Sequence, residues 1–286
     1  MDFAVHSYRS SCGRLNLSAR DYAGTGPALL LMHGLTRNAA DFEPLAAALV
    51  GSYRLIVPDQ HGRGQSEWDL DPTNYRSDIY AADMFALLDS LALAQVMMIG
   101  TSMGSLIAMV MNALRPQAVR AVVLNDIGPV LDPAGLARIQ GYVGPSAPAK
   151  SWAEAAERSR AINAAAFPDF GPADWMAFAR RACVEEPDGT IAFAYDPAIA
   201  LSAGGADPAA VPPDLWPLWD LLAGKPVLVI RGALSDLLAA DTVAEMRRRH
   251  PGPFTAIEVP RVGHAPVLDE PVALAAIRRF LADHAA

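Results

Sequence analysis

Gln95-Val96-Met97-Met98-Ile99-Gly100-Thr101-Ser102-Met103-Gly104-Ser105-Leu106 is the stretch from which the rest of the chain can be read. Val96 to Ile99 is a short apolar run with the composition of a buried strand, and it stops at Gly100. From Leu106 to Leu114 the residues are mostly apolar again but are now strong helix formers, so the chain runs strand, tight turn, helix. Ser102 stands at the apex in the pattern G-x-S-x-G. A side chain forced onto so sharp a corner needs neighbours without bulk on either side, and Gly100 and Gly104 provide them. The serine is pushed into the open beside a helix N-terminus, where N–H groups lack intrahelical partners and favour negative charge. Five such residues recur by chance in many chains; the strand before them and the helix after them give the pattern weight.

Ala28 to Met32, Leu55 to Val57, Val119 to Leu124 and Val227 to Ile230 are further continuous apolar runs, as expected for strands covered on both faces. Helical patterns lie between them, for example Tyr80, Met84, Leu87, Leu88 and Leu91. Strands alternating with helices make a parallel α/β sheet. Residues 3–8 and 14–20 alternate apolar and polar instead, the mark of a half-exposed antiparallel hairpin at an edge.

Ligands of such sheets gather beyond the carboxyl ends of the strands, and every strand end here is polar or glycine-rich. They read His33-Gly34-Leu35-Thr36, Asp59-Gln60-His61-Gly62-Arg63-Gly64-Gln65-Ser66, Ser102, Asn125-Asp126-Ile127-Gly128-Pro129 and Ser235-Asp236. After a last strand, Ala256 to Val259, comes Gly263-His264. From Pro129 to about Leu222 the alternation lapses. This part is rich in Ala and Pro, carries helical patches at Ser151 to Phe167 and Pro172 to Val184, and holds Trp152, Trp175, Trp216 and Trp219. The expected division is a core in two parts, 1–129 and 223–286, with an inserted helical cap at 130–222.

Composition narrows the function. Of 286 residues 52% are hydrophobic and 19% charged, which describes a soluble globular protein with a large core. With 23 basic against 31 acidic residues the net charge is −8, and no basic run exceeds Arg247-Arg248-Arg249, so a nucleic-acid partner is not expected. No apolar stretch approaches membrane-spanning length and no secretory signal opens the chain, so no membrane partner is expected either. The two cysteines, Cys12 and Cys183, have no metal-like spacing; they suit a reducing cytoplasm, and no metal is expected. The expected partner is a small-molecule substrate, with self-association into a homo-oligomer left open.

A serine hydroxyl needs a base to remove its proton during attack. Of the six histidines, His6, His250 and His284 are expected at the surface, and His33 and His61, each before a glycine in a loop, in structural hydrogen bonds. That leaves His264 as general base. The imidazolium it becomes needs a carboxylate. Asp236 follows the strand between serine and histidine in the order Ser…Asp…His and is favoured; Asp126 competes, although it suits turn chemistry at the entrance to the cap. Asp59 reads as loop architecture. The negative oxygen formed on attack needs donors already in place, and the amides of Met103 and Leu35 are the candidates.

Together His33-Gly34, Asp59 with Gly62-Arg63-Gly64-Gln65-Ser66, Gly100-Thr101-Ser102-Met103-Gly104, Ser235-Asp236 and Gly263-His264 resemble the α/β-hydrolase superfamily over nearly the whole chain. The resemblance implies an α/β-hydrolase fold: a mostly parallel eight-stranded sheet, helices on both faces, a cap inserted after the sixth strand, a serine–acid–histidine triad and no cofactor. Lidded small-molecule esterases and carbon–carbon bond hydrolases are the most similar branches. The latter tend to place Asn before the nucleophile and Trp after the histidine, where this chain has Thr101 and Ala265. Similar dehalogenases and epoxide hydrolases use Asp where Ser102 stands. Ser105 occupies a position where a second glycine is common.

The leading expectation is a carboxylesterase-type serine hydrolase acting on a small ester through an acyl-enzyme. Its rivals are carbon–carbon bond cleavage or a lyase reaction on the same triad, and a non-catalytic small-molecule receptor. Turnover of a vinylogous 1,5-diketone would select the first rival. Slow turnover with tight, cap-ordering binding would select the second.

Overall fold

A computed structural model describes residues 2–204 and 214–285 of the chain. It opens with the edge hairpin β1 (Ala4–Arg9) and β2 (Asn16–Tyr22), antiparallel with Ser7 opposite Ser18. Then come β3 (Ala28–Met32), α1 (Glu43–Leu49), β4 (Arg54–Pro58) and α2 (Ser77–Ser90), followed by β5 (Val96–Thr101), α3 (Met103–Leu114) and β6 (Val119–Asn125). After β6 the chain leaves the sheet for α4 (Pro133–Gln140), α5 (Trp152–Asn163), α6 (Pro172–Ala182), β7 (Cys183–Glu185), β8 (Ile191–Phe193), α7 (Ile199–Gly204) and α8 (Trp216–Asp220). It resumes with β9 (Val227–Gly232), α9 (Ala240–Arg249), β10 (Phe254–Val259) and α10 (Pro271–His284).

Eight strands form one sheet in the order β1-β2-β4-β3-β5-β6-β9-β10. From β4 to β10 all neighbours pair in parallel, while β2 runs antiparallel to both β1 and β4. Side chains alternate faces along a strand, so a run apolar at every position must be covered twice. Leu30, Met32, Met98, Val122, Leu124 and Val229 pack with α2 and α3 residues such as Leu87, Ile107 and Met111. Leu29, Leu31, Met97, Ile99, Val123 and Ile230 point the other way, against Leu45 and Leu49 of α1 and Ile277 and Leu281 of α10. This is the α/β-hydrolase fold.

The excursion between β6 and β9 has a small core of its own, with Phe167, Trp175, Phe178 and Ala179 at its centre. It is not wholly helical: β7 and β8 pair antiparallel with Val184 opposite Ala192. The helix expected to reach Val184 ends at Ala182, because the chain turns back at Pro187-Asp188-Gly189, with Gly189 at φ 82°. Of the range 130–222 expected for the cap, residues 205–213 lie outside the described residues.

Candidate active site

Ser102 sits between β5 and α3 with φ 51° and ψ −114°. The tight corner exists because backbone passes where side chains would be: a Cβ on Gly104 would lie 2.0 Å from the Met32 carbonyl oxygen, and one on Gly100 would lie 2.4 Å from Gly104. Buried Ser105 closes the turn. Its hydroxyl donates to the Gly100 carbonyl (2.6 Å) and accepts the Asn125 N–H (3.2 Å), a bond a glycine there could not make.

The elbow presents its hydroxyl to His264, which arrives on the loop after β10. Ser102 Oγ donates to His264 Nε2 at 2.9 Å, and His264 Nδ1 donates to Asp126 Oδ2, also at 2.9 Å. Asp126 follows β6 directly, in a left-handed conformation with φ 57°, and is 0% exposed. Its carboxylate is fully engaged: Oδ1 accepts the Gly232 N–H (2.8 Å), and Oδ2 also accepts the Ser235 hydroxyl (2.6 Å).

The favoured carboxylate, Asp236, is therefore corrected to Asp126. Asp236 lies beyond the turn that ends β9, and the guanidinium of Arg138 on α4 takes it at 2.5 and 2.8 Å. That partner holds the Asp236 carboxyl below the usual carboxylate range. The order Ser…Asp…His is met by both residues, so order could not separate them. The usable signal was distance from the strand: Asp126 is the first residue past β6, where the sheet itself fixes its place, whereas three residues separate Asp236 from β9.

Asn125 is a contributor that sequence reading missed. Its carbonyl accepts the Ser102 N–H (3.0 Å), and its Nδ2 donates to Thr101 Oγ1 (3.0 Å) and to the Pro266 carbonyl (2.8 Å). One buried amide thus ties the serine turn to the histidine loop. Nothing in a single Asn at a strand end announces this.

Leu35 and Met103 both line the cavity above the serine. Met103 is the first residue of α3, so its N–H has no intrahelical acceptor. The Leu35 loop lies close by, since a Cβ on Gly34 would fall 3.9 Å from Ser102 Cβ. Asp59 fixes the base of that loop, accepting the N–H groups of Ala39 (2.7 Å) and Gln65 (2.9 Å). Burial pushes its carboxyl up.

His33 and His61 are both buried and bonded at both ring nitrogens. His33 Nδ1 donates to the Gly34 carbonyl (2.8 Å) while Nε2 accepts the Gln60 N–H (3.0 Å). Burial lowers its pKa to about 4. His61 contacts Asp83 (2.8 Å) and the Asn74 carbonyl (3.3 Å). His250 departs from expectation: it is buried against Trp219 and Phe254, donating to the Lys225 carbonyl at 2.9 Å. As the residue that caps the end of α9, it turns its ring inward against Trp219.

A cavity of about 500 Å³ opens over the serine, roofed by the excursion between β6 and β9. Its apolar wall includes Leu106, Ile127, Leu136, Ile162, Phe167 and Phe178. No tryptophan lines it among the described residues; Trp175 serves the core of the roof instead. The charged residues on its wall include Arg37, Arg76 and Asp41. Arg37 bonds Asp41 through Nε (2.6 Å) and lies 3.8 Å from the centre of the Phe178 ring. Among the described residues no group of three or more His, Cys, Asp or Glu side chains could hold a metal ion.

The sequence model of the alpha/beta hydrolase fold matches residues 27–170. With fold and site in view, the chain belongs to the α/β-hydrolase family and is a hydrolase of that fold. A 3-hydroxybutyrate-oligomer hydrolase of Cupriavidus necator is 38% identical over 261 residues, covering 88% of this chain and 87% of that protein. A 2-(acetamidomethylene)succinate hydrolase of Mesorhizobium japonicum is 31% identical over 259 residues, 90% of this chain and 88% of the other. The crystal structure of an alpha/beta hydrolase from Novosphingobium aromaticivorans superposes with a TM-score of 0.90 at 41% identity, over 98% of each chain.

Proposed function

We propose that this hydrolase is serine-dependent and cleaves esters of small acids, short hydroxy-acid oligomers among them, through an acyl-enzyme. The observation that carries the reading is the unbroken chain of bonds from Ser102 Oγ through His264 to Asp126. His264 Nε2 takes the hydroxyl proton as Oγ attacks the ester carbonyl, and Asp126 stabilises the imidazolium. The oxygen turns negative next to the N–H groups of Leu35 and Met103. His264 then gives its proton to the departing alcohol, and water repeats the sequence in reverse order to release the acid.

The substrate class rests on two supports. The relative from Cupriavidus necator is named for hydrolysis of 3-hydroxybutyrate oligomers, and a mostly apolar cavity of about 500 Å³ suits a ligand of that size. A second reading, cleavage of an acetamido compound on the same three residues, is favoured by the name of the relative from Mesorhizobium japonicum. Two free cysteines suit a cytoplasmic setting for either.

Rapid-quench mass spectrometry tests the proposal with p-nitrophenyl butyrate and with 3-hydroxybutyrate dimer and trimer. A butyryl adduct on the Ser102 peptide is expected, and Ser102→Ala should abolish both adduct and turnover. Undiminished hydrolysis by Ser102→Ala would end the serine mechanism; turnover of acetamido substrates alone would select the second reading.

A further inference from the structure

Arg63 is 0% exposed, yet every partner it has among the described residues is neutral. Nε donates to the Leu35 carbonyl (2.9 Å), Nη1 to the His61 carbonyl (2.9 Å) and to the Tyr80 hydroxyl, and Nη2 reaches Met103 Sδ at 3.7 Å. The rings of Tyr75 and Tyr80 lie 5.5 and 4.9 Å from the guanidinium carbon. The buried carboxylates nearby take other partners, Asp196 the Tyr75 hydroxyl and Asp83 the ring of His61, so none bonds the guanidinium directly; burying it this way is costly, and a long apolar side chain would fill the same space more cheaply. Two of its contacts are to Leu35 and Met103, the residues whose N–H groups would receive the negative oxygen of an ester under attack.

We propose that Arg63 is a positioning residue for this anion-receiving pair, and that its buried positive charge, bonded to no carboxylate, sits behind the pair to favour the tetrahedral anion over the neutral ester. The inference rests on the serine reading above. The bond to the Leu35 carbonyl fixes the orientation of that loop, and the contact with Met103 packs the start of α3. The guanidinium stays fixed in a dry site, where a charge acts more strongly than in water and needs no rearrangement as the anion forms. The segment that carries Arg63 is itself anchored: Gly64 N–H donates to the Ala194 carbonyl (2.9 Å) and Asp196 N–H to the Gly62 carbonyl (2.8 Å), just past β8.

Butylboronic acid, which becomes a tetrahedral anion on an active serine, separates this role from simple structural support. For Arg63→Met, kcat on p-nitrophenyl butyrate should fall roughly 10²-fold with KM nearly unchanged, and the inhibition constant for the boronate should rise by a similar factor. Arg63→Lys should recover part of both at neutral pH. Its boronate affinity relative to wild type should then fall as the pH rises and the buried ammonium loses its proton, which decides the matter should Arg63→Met not fold. Wild-type boronate affinity in Arg63→Met, or a pH-independent ratio for Arg63→Lys, overturns the inference. If the boronate does not bind the wild-type protein at all, the serine reading itself has failed.

Discussion

Asp126 shows how much a single dihedral angle decides. Its left-handed φ at the end of β6 turns the carboxylate towards His264, and the Ser235 hydroxyl and Gly232 N–H hold it there. Asp126→Asn leaves the shape but offers His264 Nδ1 the wrong partner for the tautomer that attack requires, so kcat should fall by roughly 10⁴-fold. Asp236→Asn should leave kcat within about threefold. Steady-state kinetics of the two variants side by side check both statements. That Ser102 and His264 meet was legible in part: one serine stands at a strand-to-helix corner, and two of the three histidines after strands sit before glycines in loops. Order alone left the carboxylate undecided between Asp126 and Asp236: a backbone angle and two donors select it, and closeness to the strand end was their one trace in the sequence.

His33 makes a second prediction at this scale. Unfolded, its imidazole titrates near 6.5; folded, burial holds it at about 4. Between those values the unfolded chain binds a proton that the folded chain refuses. The cost this residue imposes is therefore absent above about pH 6.5 and grows to about 3 kcal/mol as the pH falls towards 4. Urea unfolding of the wild type at pH 7.5 and 4.5 should show this loss, and His33→Gln should lose correspondingly less.

Among the elements, the β5–α3 corner depends on closeness rather than on any strong bond. Gly104→Ala would drive a methyl group to 2.0 Å from the Met32 carbonyl oxygen, so the chain should fail to accumulate folded or lose several kcal/mol of stability. Ser105→Ala is milder: it removes the bonds to Gly100 and Asn125, and denaturant unfolding should register a loss of about 1–3 kcal/mol. The strands were legible because a sheet covered on both faces demands apolar residues at consecutive positions, as in Leu29, Leu30 and Leu31. Hairpin β7–β8 was not, since three-residue strands carry too few positions to show a period, and only Pro187-Asp188-Gly189 marked it.

For the whole molecule, the roof is tied to the rest of the chain by several polar contacts, among them Gly64 N–H to the Ala194 carbonyl, Asp196 N–H to the Gly62 carbonyl and the Arg261–Asp169 pair. Arg138 on α4 grips Asp236, and Gly263 N–H donates to the Ala166 carbonyl at 2.7 Å, just ahead of His264. The Arg138–Asp236 pair is 27% and 37% exposed, so its contribution is about 1 kcal/mol or less. Asp236→Asn should accordingly act on the roof: faster limited proteolysis within residues 130–222 and a raised KM are expected, with the melting temperature nearly unchanged. That an insertion existed was legible in the lapse of alternation after Pro129. Its lining was not, because composition does not say which aromatic residues face the cavity: the tryptophans pack elsewhere, and phenylalanines and tyrosines line it.

The serine and its histidine stand 162 residues apart in the chain. A ribosome adding roughly 5–20 residues each second needs roughly 10 to 30 seconds to travel that distance. On the serine mechanism proposed above, the nascent polypeptide carries the Ser102 hydroxyl throughout that interval without His264 to take its proton, so the growing chain should leave esters around it untouched until His264 has been translated and folded into place.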